Sequence, residues 1–223
     1  MKPTPELAES LQTIFQGLND RLFDGELPEC MVTLSRNQKI TGGYFSPAQW
    51  ENDEGQKVPE IGINANVLAI GDHVHILNIL THEMIHLWQD AHGKPGRPGY
   101  HNKEFAQKCD ELGLEIICHD RDAKEGQTTG QNIETRMKSG EAAELVVAQI
   151  AADSTYDLAW WSIKEIIVDE QGNPQPAEPN PSENPPTGGE PSETQKEQKP
   201  APKRSGSRTK YTCATCGLNA WAK

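Results

Sequence analysis

Val74-His75-Ile76-Leu77-Asn78-Ile79-Leu80-Thr81-His82-Glu83-Met84-Ile85-His86-Leu87-Trp88-Gln89-Asp90-Ala91-His92 carries its apolar residues at helical spacing, with Val74, Leu77, Leu80, Met84 and Trp88 recurring along one side. The segment that follows, His92-Gly93-Lys94-Pro95-Gly96-Arg97-Pro98-Gly99, is dense in glycine and proline. The helix must therefore stop near Gly93 and the chain must turn back. Within the helix, His82 and His86 are four residues apart, so both imidazoles project from the same side and can grip one metal ion. Glu83 then falls beside that ion. A glutamate inside an otherwise apolar helical stretch demands a reason, because carboxylates are seldom buried without a task.

A third imidazole follows the turn, in Tyr100-His101-Asn102-Lys103-Glu104-Phe105. It comes just before a new apolar pattern (Phe105, Cys109, Leu112, with Ala106 and Leu114 beside it) that reads as a second helix. The glycine-rich turn lets His101 come back over the pair and complete a three-histidine set. Three neutral imidazoles with a fourth position open to water is the ligand count of a catalytic zinc site, not a structural one. Zinc would lower the pKa of a bound water, and Glu83 would accept its proton during attack on a polarised carbonyl. Peptide hydrolysis is the natural reaction class. His92 is the nearer competitor for the third place, but it would need a tight fold-back so soon after His86. His119 reads as a surface residue, and His73 and His75 precede the motif by about two turns and point elsewhere. Tyr100, Tyr44 and Arg97 are the candidates for stabilising a developing oxyanion. Asp90, Glu104 and Asp110 are the acidic neighbours that could orient a ligand, although each reads more simply as a surface carboxylate.

Working outward, Pro5 to Phe23 alternates Leu7, Leu11, Ile14, Phe15, Leu18 and Leu22 at helical spacing, with Gly25 past the end. Short strands are expected at Met31 to Ser35, Ile40 to Ser46 and Val58 to Ile63. The turn residues between them, such as Asn37 and Gly55, favour an antiparallel arrangement. Helix, small antiparallel sheet, HExxH helix and further helices make an α+β, zincin-like domain over residues 1–168. Between Asp120 and Gly140 the chain is polar, and Ile133 to Met137 is expected to form a helical turn. Glu141 to Ile150 and Tyr156 to Val168 carry enough apolar residues to cover the far side of the domain or a wall of its cleft. Trp88, Trp160 and Trp161 are expected to pack.

These residues resemble the SprT-like or Spartan metalloproteases. The resemblance rests on Thr81-His82-Glu83-Met84-Ile85-His86-Leu87-Trp88, on Gly99-Tyr100-His101-Asn102-Lys103-Glu104-Phe105, and on Tyr211-Thr212-Cys213-Ala214-Thr215-Cys216-Gly217-Leu218. It extends through Asn19-Asp20-Arg21-Leu22-Phe23-Asp24-Gly25-Glu26-Leu27-Pro28, Gly42-Gly43-Tyr44-Phe45-Ser46 and Glu60-Ile61-Gly62-Ile63-Asn64. The resemblance implies that His82, His86 and His101 bind zinc and that Glu83 is catalytic. It also implies proteolysis linked to DNA, in particular of proteins bound to or crosslinked with DNA. The family usually has glycine directly after the third histidine; here that position is Asn102.

The 223 residues, 35% hydrophobic and 24% charged, suffice for one compact domain plus an unfolded part. No apolar run approaches the roughly 18 residues needed to span a bilayer, and the first residues lack a secretory core, so a cytoplasmic, monomeric protein without a membrane partner is expected. Five cysteines without a secretion signal argue against a disulfide framework. Residues 169–210 are rich in Pro, Glu, Gln, Ser and Gly, and they cannot bury enough apolar area to offset chain entropy; a disordered linker is expected. The end of the linker is basic. Lys196, Lys199, Lys203, Arg204, Arg208 and Lys210 stand against the single acid Glu197, on a chain of net charge -12. Lys203, Arg204, Arg208 and Lys210 are thus the candidate nucleic-acid contacts. Residues 211–223 hold Cys213 and Cys216, a CxxC knuckle that supplies only two of the four ligands of a closed zinc site. It would bind a second zinc only with ligands from elsewhere, and little regular structure is expected there. Two functional classes follow: a zinc endopeptidase acting on DNA-bound proteins, or a nucleic-acid-associated binding or regulatory module that keeps the fold with little proteolysis. The intact Glu83 favours the first.

Overall fold

The computed structural model describes residues 2–36, 42–70, 72–162, 209–212 and 219–222. Helix α1 (Pro3–Leu22) opens on proline in its first turn, where no intrahelical hydrogen bond is lost. It buries Leu11, Ile14, Phe15, Leu18 and Leu22. The chain leaves it through Gly25 at φ 71, whose N–H donates to the Asn19 carbonyl (3.0 Å). The buried Asn19 side chain then pins the exit, accepting from Leu27 N (3.1 Å) and donating to Leu27 O (3.3 Å).

Three strands follow, β1 (Met31–Ser35), β2 (Gly43–Glu51) and β3 (Lys57–Asn64). Their spatial order is β1-β3-β2. The expected antiparallel sheet is corrected here: β2 runs antiparallel to β3, but β1 runs parallel to it, from Met31↔Glu60 to Ser35↔Asn64. The reason is burial. Glu60 to Asn64 are all buried, so β3 must be paired on both edges. A tight turn, in which Asn52 N donates to Gln56 O (3.0 Å), makes β2 its hairpin partner and leaves β1 the other edge. The ladder slips between Ser46 and Trp50, where Ala48 takes φ 47.

Helix α2 (His73–His92) starts at Asp72, whose carboxylate accepts from His75 N (3.2 Å), and stops at Gly93 as expected. Its buried Ile76, Leu77, Leu80, Met84, Ile85 and Leu87 pack with Ile61 and Ile63 and with α1 in one core. Helix α3 (Lys103–Glu111) follows the turn. Gly113 at φ 77 then releases the chain into β4 (Leu114–Cys118), which pairs antiparallel with β5 (Ile133–Met137). The helical turn expected at Ile133 to Met137 is therefore corrected to a strand. Helix α4 (Ala142–Ala152) buries Ala143, Val147 and Ile150 in the core on the far side of the domain. Tyr156 lies against Gly17 of α1, and Arg21 Nη1 donates to its hydroxyl (2.8 Å).

Among the described residues no helix is long and apolar enough to cross a membrane. Residues 181–223 form a separate unit. In it β6 (Thr209–Thr212) pairs antiparallel with β7 (Asn219–Ala222). The cause is legible in Thr209, Tyr211, Thr212 and Trp221, residue types that favour extended backbone. Cys213, Cys216, Lys203, Arg204 and Arg208 lie outside the described residues, as does the linker up to residue 208; of Lys210 only the β6 backbone is described.

Candidate metal centre

The four-residue spacing on α2 brings the rings of His82 and His86 to a centroid separation of 5.2 Å. His101 reaches them from the other side of the turn. It precedes the α3 N-cap Asn102 and is held by a two-hydrogen-bond bridge to Gly130: His101 N donates to Gly130 O (2.8 Å), and Gly130 N to His101 O (3.1 Å). The Nε2 atoms of His82 and His86 each lie 3.1 Å from His101 Nε2. Tetrahedral nitrogen ligands at zinc distances stand about 3.3 Å apart, so the set fits one such ion with little adjustment. No other group of three or more ligating side chains occurs among the described residues.

The opposite ring nitrogens fix which atoms face the centre. His101 Nδ1 is 3.2 Å from the Gly130 carbonyl, which can only accept, so Nδ1 carries the proton and Nε2 presents its lone pair. His82 Nδ1 is 3.1 Å from Thr135 Oγ1. Phe105, fully buried, closes the floor, with centroids 5.1, 4.5 and 4.6 Å from the rings of His82, His86 and His101. Phe45 of β2 stacks on His86 at 6.5 Å.

Burial, and then the neighbouring His86 and His101, hold His82 well below its ordinary pKa. Burial and then His101 bring His86 down to about 3. His101 is also lowered by burial, against the opposing pull of the Gly130 carbonyl. All three are thus neutral imidazoles, the form that binds a metal. Burial pushes the Glu83 carboxyl up to about 8. Glu83 faces β2 at Gly43, where a Cβ would lie 3.1 Å from its Cγ and Oε1. A cation beside it would act in the opposite direction and favour the carboxylate.

These groups line a cleft of about 970 Å³, with Phe45, Ile79, Arg97, Tyr100 and Arg136 among its walls. Arg97 stands 5.1 Å over the Tyr100 ring, and both border the cleft. Tyr44 does not offer its hydroxyl there. Strand alternation turns its side chain away from Gly43 and Phe45, and its hydroxyl donates to Glu60 Oε1 (3.1 Å). His92 stands apart from the convergent set, and its Nε2 bonds Glu26 O (3.0 Å). His119 sits on the rim, 2.7 Å from Glu134. His75, expected to point elsewhere, also lines the cleft, while His73 stands edge-on to Trp161.

None of the three acidic neighbours has a hydrogen bond to the histidine rings. Asp90 lines the cleft, and Asp110 pairs with Lys138 (2.6 Å). Glu104 accepts from Gln89 Nε2 (2.7 Å) and Lys94 N (2.7 Å), tying the turn to α2. The groups that do meet the rings, Thr135 and the Gly130 carbonyl, were not singled out in sequence. A backbone carbonyl has no sequence signature, and Thr135 is distant along the chain.

The sequence model of the SprT-like family matches residues 11–132. A relative from Salmonella typhimurium, described as an uncharacterized protein in the mucB 3' region, is 43% identical over 60 residues, which cover 26% of this chain and 80% of the relative. No solved structure matches.

Proposed function

The chain belongs to the SprT-like family, and from that membership we propose that it is a zinc-dependent endopeptidase of zincin-like architecture. The observation that carries the proposal is the convergence of three imidazoles on an open cleft, with the Nε2 atoms of His82 and His86 each 3.1 Å from that of His101 and Glu83 next in the chain to His82. His82, His86 and His101 would hold the zinc. Bound there, zinc would polarise both a water molecule and the carbonyl to be cleaved. Glu83 takes the proton of the attacking water and returns it to the leaving amine; burial alone raises its pKa, and a cation held by the neighbouring histidines would favour the carboxylate that accepts the proton. Phe105 and Phe45 keep the rings in place and exclude water from beneath them.

We further propose that the substrates are proteins bound to or crosslinked with DNA, and that the protein works in the cytoplasm as a monomer. The support is the six Lys/Arg against one acid between Lys196 and Lys210, on a chain of net charge -12: the tail is attracted to nucleic acid where the body is repelled. Cys213 and Cys216 would join a second zinc only with two further ligands. The test compares the intact chain with Glu83→Gln on a DNA-bound test protein, with and without single-stranded DNA, alongside metal analysis. Equimolar zinc in both proteins, with cleavage confined to the unmutated chain, is the expected result. Cleavage by Glu83→Gln at the unmutated rate removes Glu83 from the mechanism. Zinc without cleavage under any condition favours the binding-module reading.

A further inference from the structure

We propose that Thr135, on β5, is a positioning residue of the metal centre: its hydroxyl fixes the ring of His82 so that Nε2 faces the other two histidines. The inference rests on the metal-binding reading of His82, His86 and His101, and it concerns a residue beyond the stretch matched by the family model, which ends at 132.

The geometry has three parts. Thr135 Oγ1 is 3.1 Å from His82 Nδ1, on the side of the ring opposite the shared point. If Nε2 gives its lone pair to a metal, Nδ1 must carry the proton, and Oγ1 is the acceptor within reach. Thr135 is only 3% exposed, so bulk water cannot take over when the hydroxyl is removed. Finally, the hydroxyl is delivered by a fixed backbone. The Thr135 carbonyl accepts from Asn78 Nδ2 (2.9 Å), one turn ahead of His82 on α2, and Thr135 pairs with Ile116 in the β4–β5 ladder. Its β-branched side chain has few rotamers to choose from.

The same β-structure steers a second ligand. Asp120, just past β4, accepts from the backbone N–H groups of Gln131 and Asn132 (both 2.9 Å) and so holds the strand entry next to Gly130, whose carbonyl meets His101 Nδ1. Two of the three rings are therefore oriented by one hairpin.

The experiment uses the full chain and its Thr135→Val, Thr135→Ala and Thr135→Ser variants. Zinc affinity is read by competition with a chromogenic chelator, the melting temperature is taken without metal, and the His82 tautomer is followed by ¹⁵N NMR of the ring. Thr135→Val is near-isosteric and keeps the backbone bond to Asn78. It should bind zinc about 10- to 100-fold more weakly, with a loss of the single Nδ1–H tautomer and a metal-free melting transition that is lowered but still cooperative. Thr135→Ser should retain affinity and tautomer. Should Thr135→Val not fold, Thr135→Ala and Thr135→Ser share the lost methyl and differ in the hydroxyl, so tighter binding by Ser supports the proposal. Zinc affinity of Thr135→Val within twofold of the unmutated chain overturns it. So does an equal loss in Val and Ser, or in Ala and Ser. Absence of zinc binding by the unmutated chain overturns the metal-site reading itself, and this proposal with it.

Discussion

Phe105→Ala is the sharpest test of how the centre is built. The ring is fully buried and lies within 5.1 Å, centroid to centroid, of all three imidazoles. Truncating a buried phenylalanine costs about 3–5 kcal/mol, made up of lost transfer energy and the cavity left behind. Two of the three imidazoles, those of His82 and His101, are held by Thr135 and Gly130 and cannot fall into the space, so the cost should sit near about 4 kcal/mol. For a domain of this size each kcal/mol shifts the melting temperature by about 2–4 °C, giving an expected drop of about 8–16 °C without metal. Zinc affinity should fall as well, by about tenfold or more, because the rings lose the floor that holds their relative tilt. Phe105→Leu keeps most of the volume and should lose less than about 1.5 kcal/mol. The measurements are calorimetry of the metal-free proteins and chelator competition. A melting temperature within about 3 °C of the unmutated chain, together with unchanged zinc affinity, would refute the argument that this ring supports the histidines.

Gly43→Ala places a methyl 3.1 Å from Glu83 Cγ and Oε1 and from the Gly62 carbonyl. The backbone carbonyl cannot yield, so Glu83 must. Peptide cleavage should drop by about 10-fold or more with zinc content intact, and unchanged turnover would show that Glu83 has room. The Cys30 and Cys109 thiols, both buried, are pushed by burial from 9.0 up to about 12. Between these values the unfolded chain has lost protons that the folded chain keeps, so stability must fall as pH rises past 9, by about 1.4 kcal/mol per pH unit for each thiol. Urea denaturation from pH 8 to 11 should show a shallower alkaline decline in Cys109→Ala, and parallel declines would contradict the assignment.

The α2 half of the centre was legible because it is local. A four-residue spacing on one helix fixes where His82 and His86 point before any tertiary contact forms. His101 was legible through its turn, since glycine and proline after His92 oblige the chain to reverse. The sheet order was not. Which strand takes the middle is decided by the burial of Glu60 to Asn64, and the parallel partner of β3 lies two strands away in sequence. Ile133 to Met137 misled because five residues are too few to separate a period of two from one of 3.6. β4 was absorbed into the pattern of α3, although Gly113 followed by Ile116 and Ile117 is a helix stop and then a β-branched run. Missing β4 and β5 also meant missing Thr135.

Asn102 shows how a departure from the resembled pattern can be supported by the rest of the chain. Glycine at this position would leave the α3 N-terminus uncapped by a side chain. Here Asn102 Oδ1 accepts from Phe105 N (3.1 Å) and from Gln89 Nε2 (2.8 Å), and Nδ2 donates to Lys94 O (2.9 Å). Glu104 takes the Lys94 N–H and the same Gln89 amide. Both backbone polar groups of Lys94 are thereby bound to α3, and Gln89, three residues after His86, ties that bracket to α2. The turn between the second and third histidine is thus closed by three side chains independently of any ion. A histidine delivered by so constrained a turn loses little further freedom on coordination, which is the condition for a preorganised site. Asn102 and its partners therefore fix the chain on the helix side of His101, while Gly130 holds its ring and backbone directly from the hairpin side.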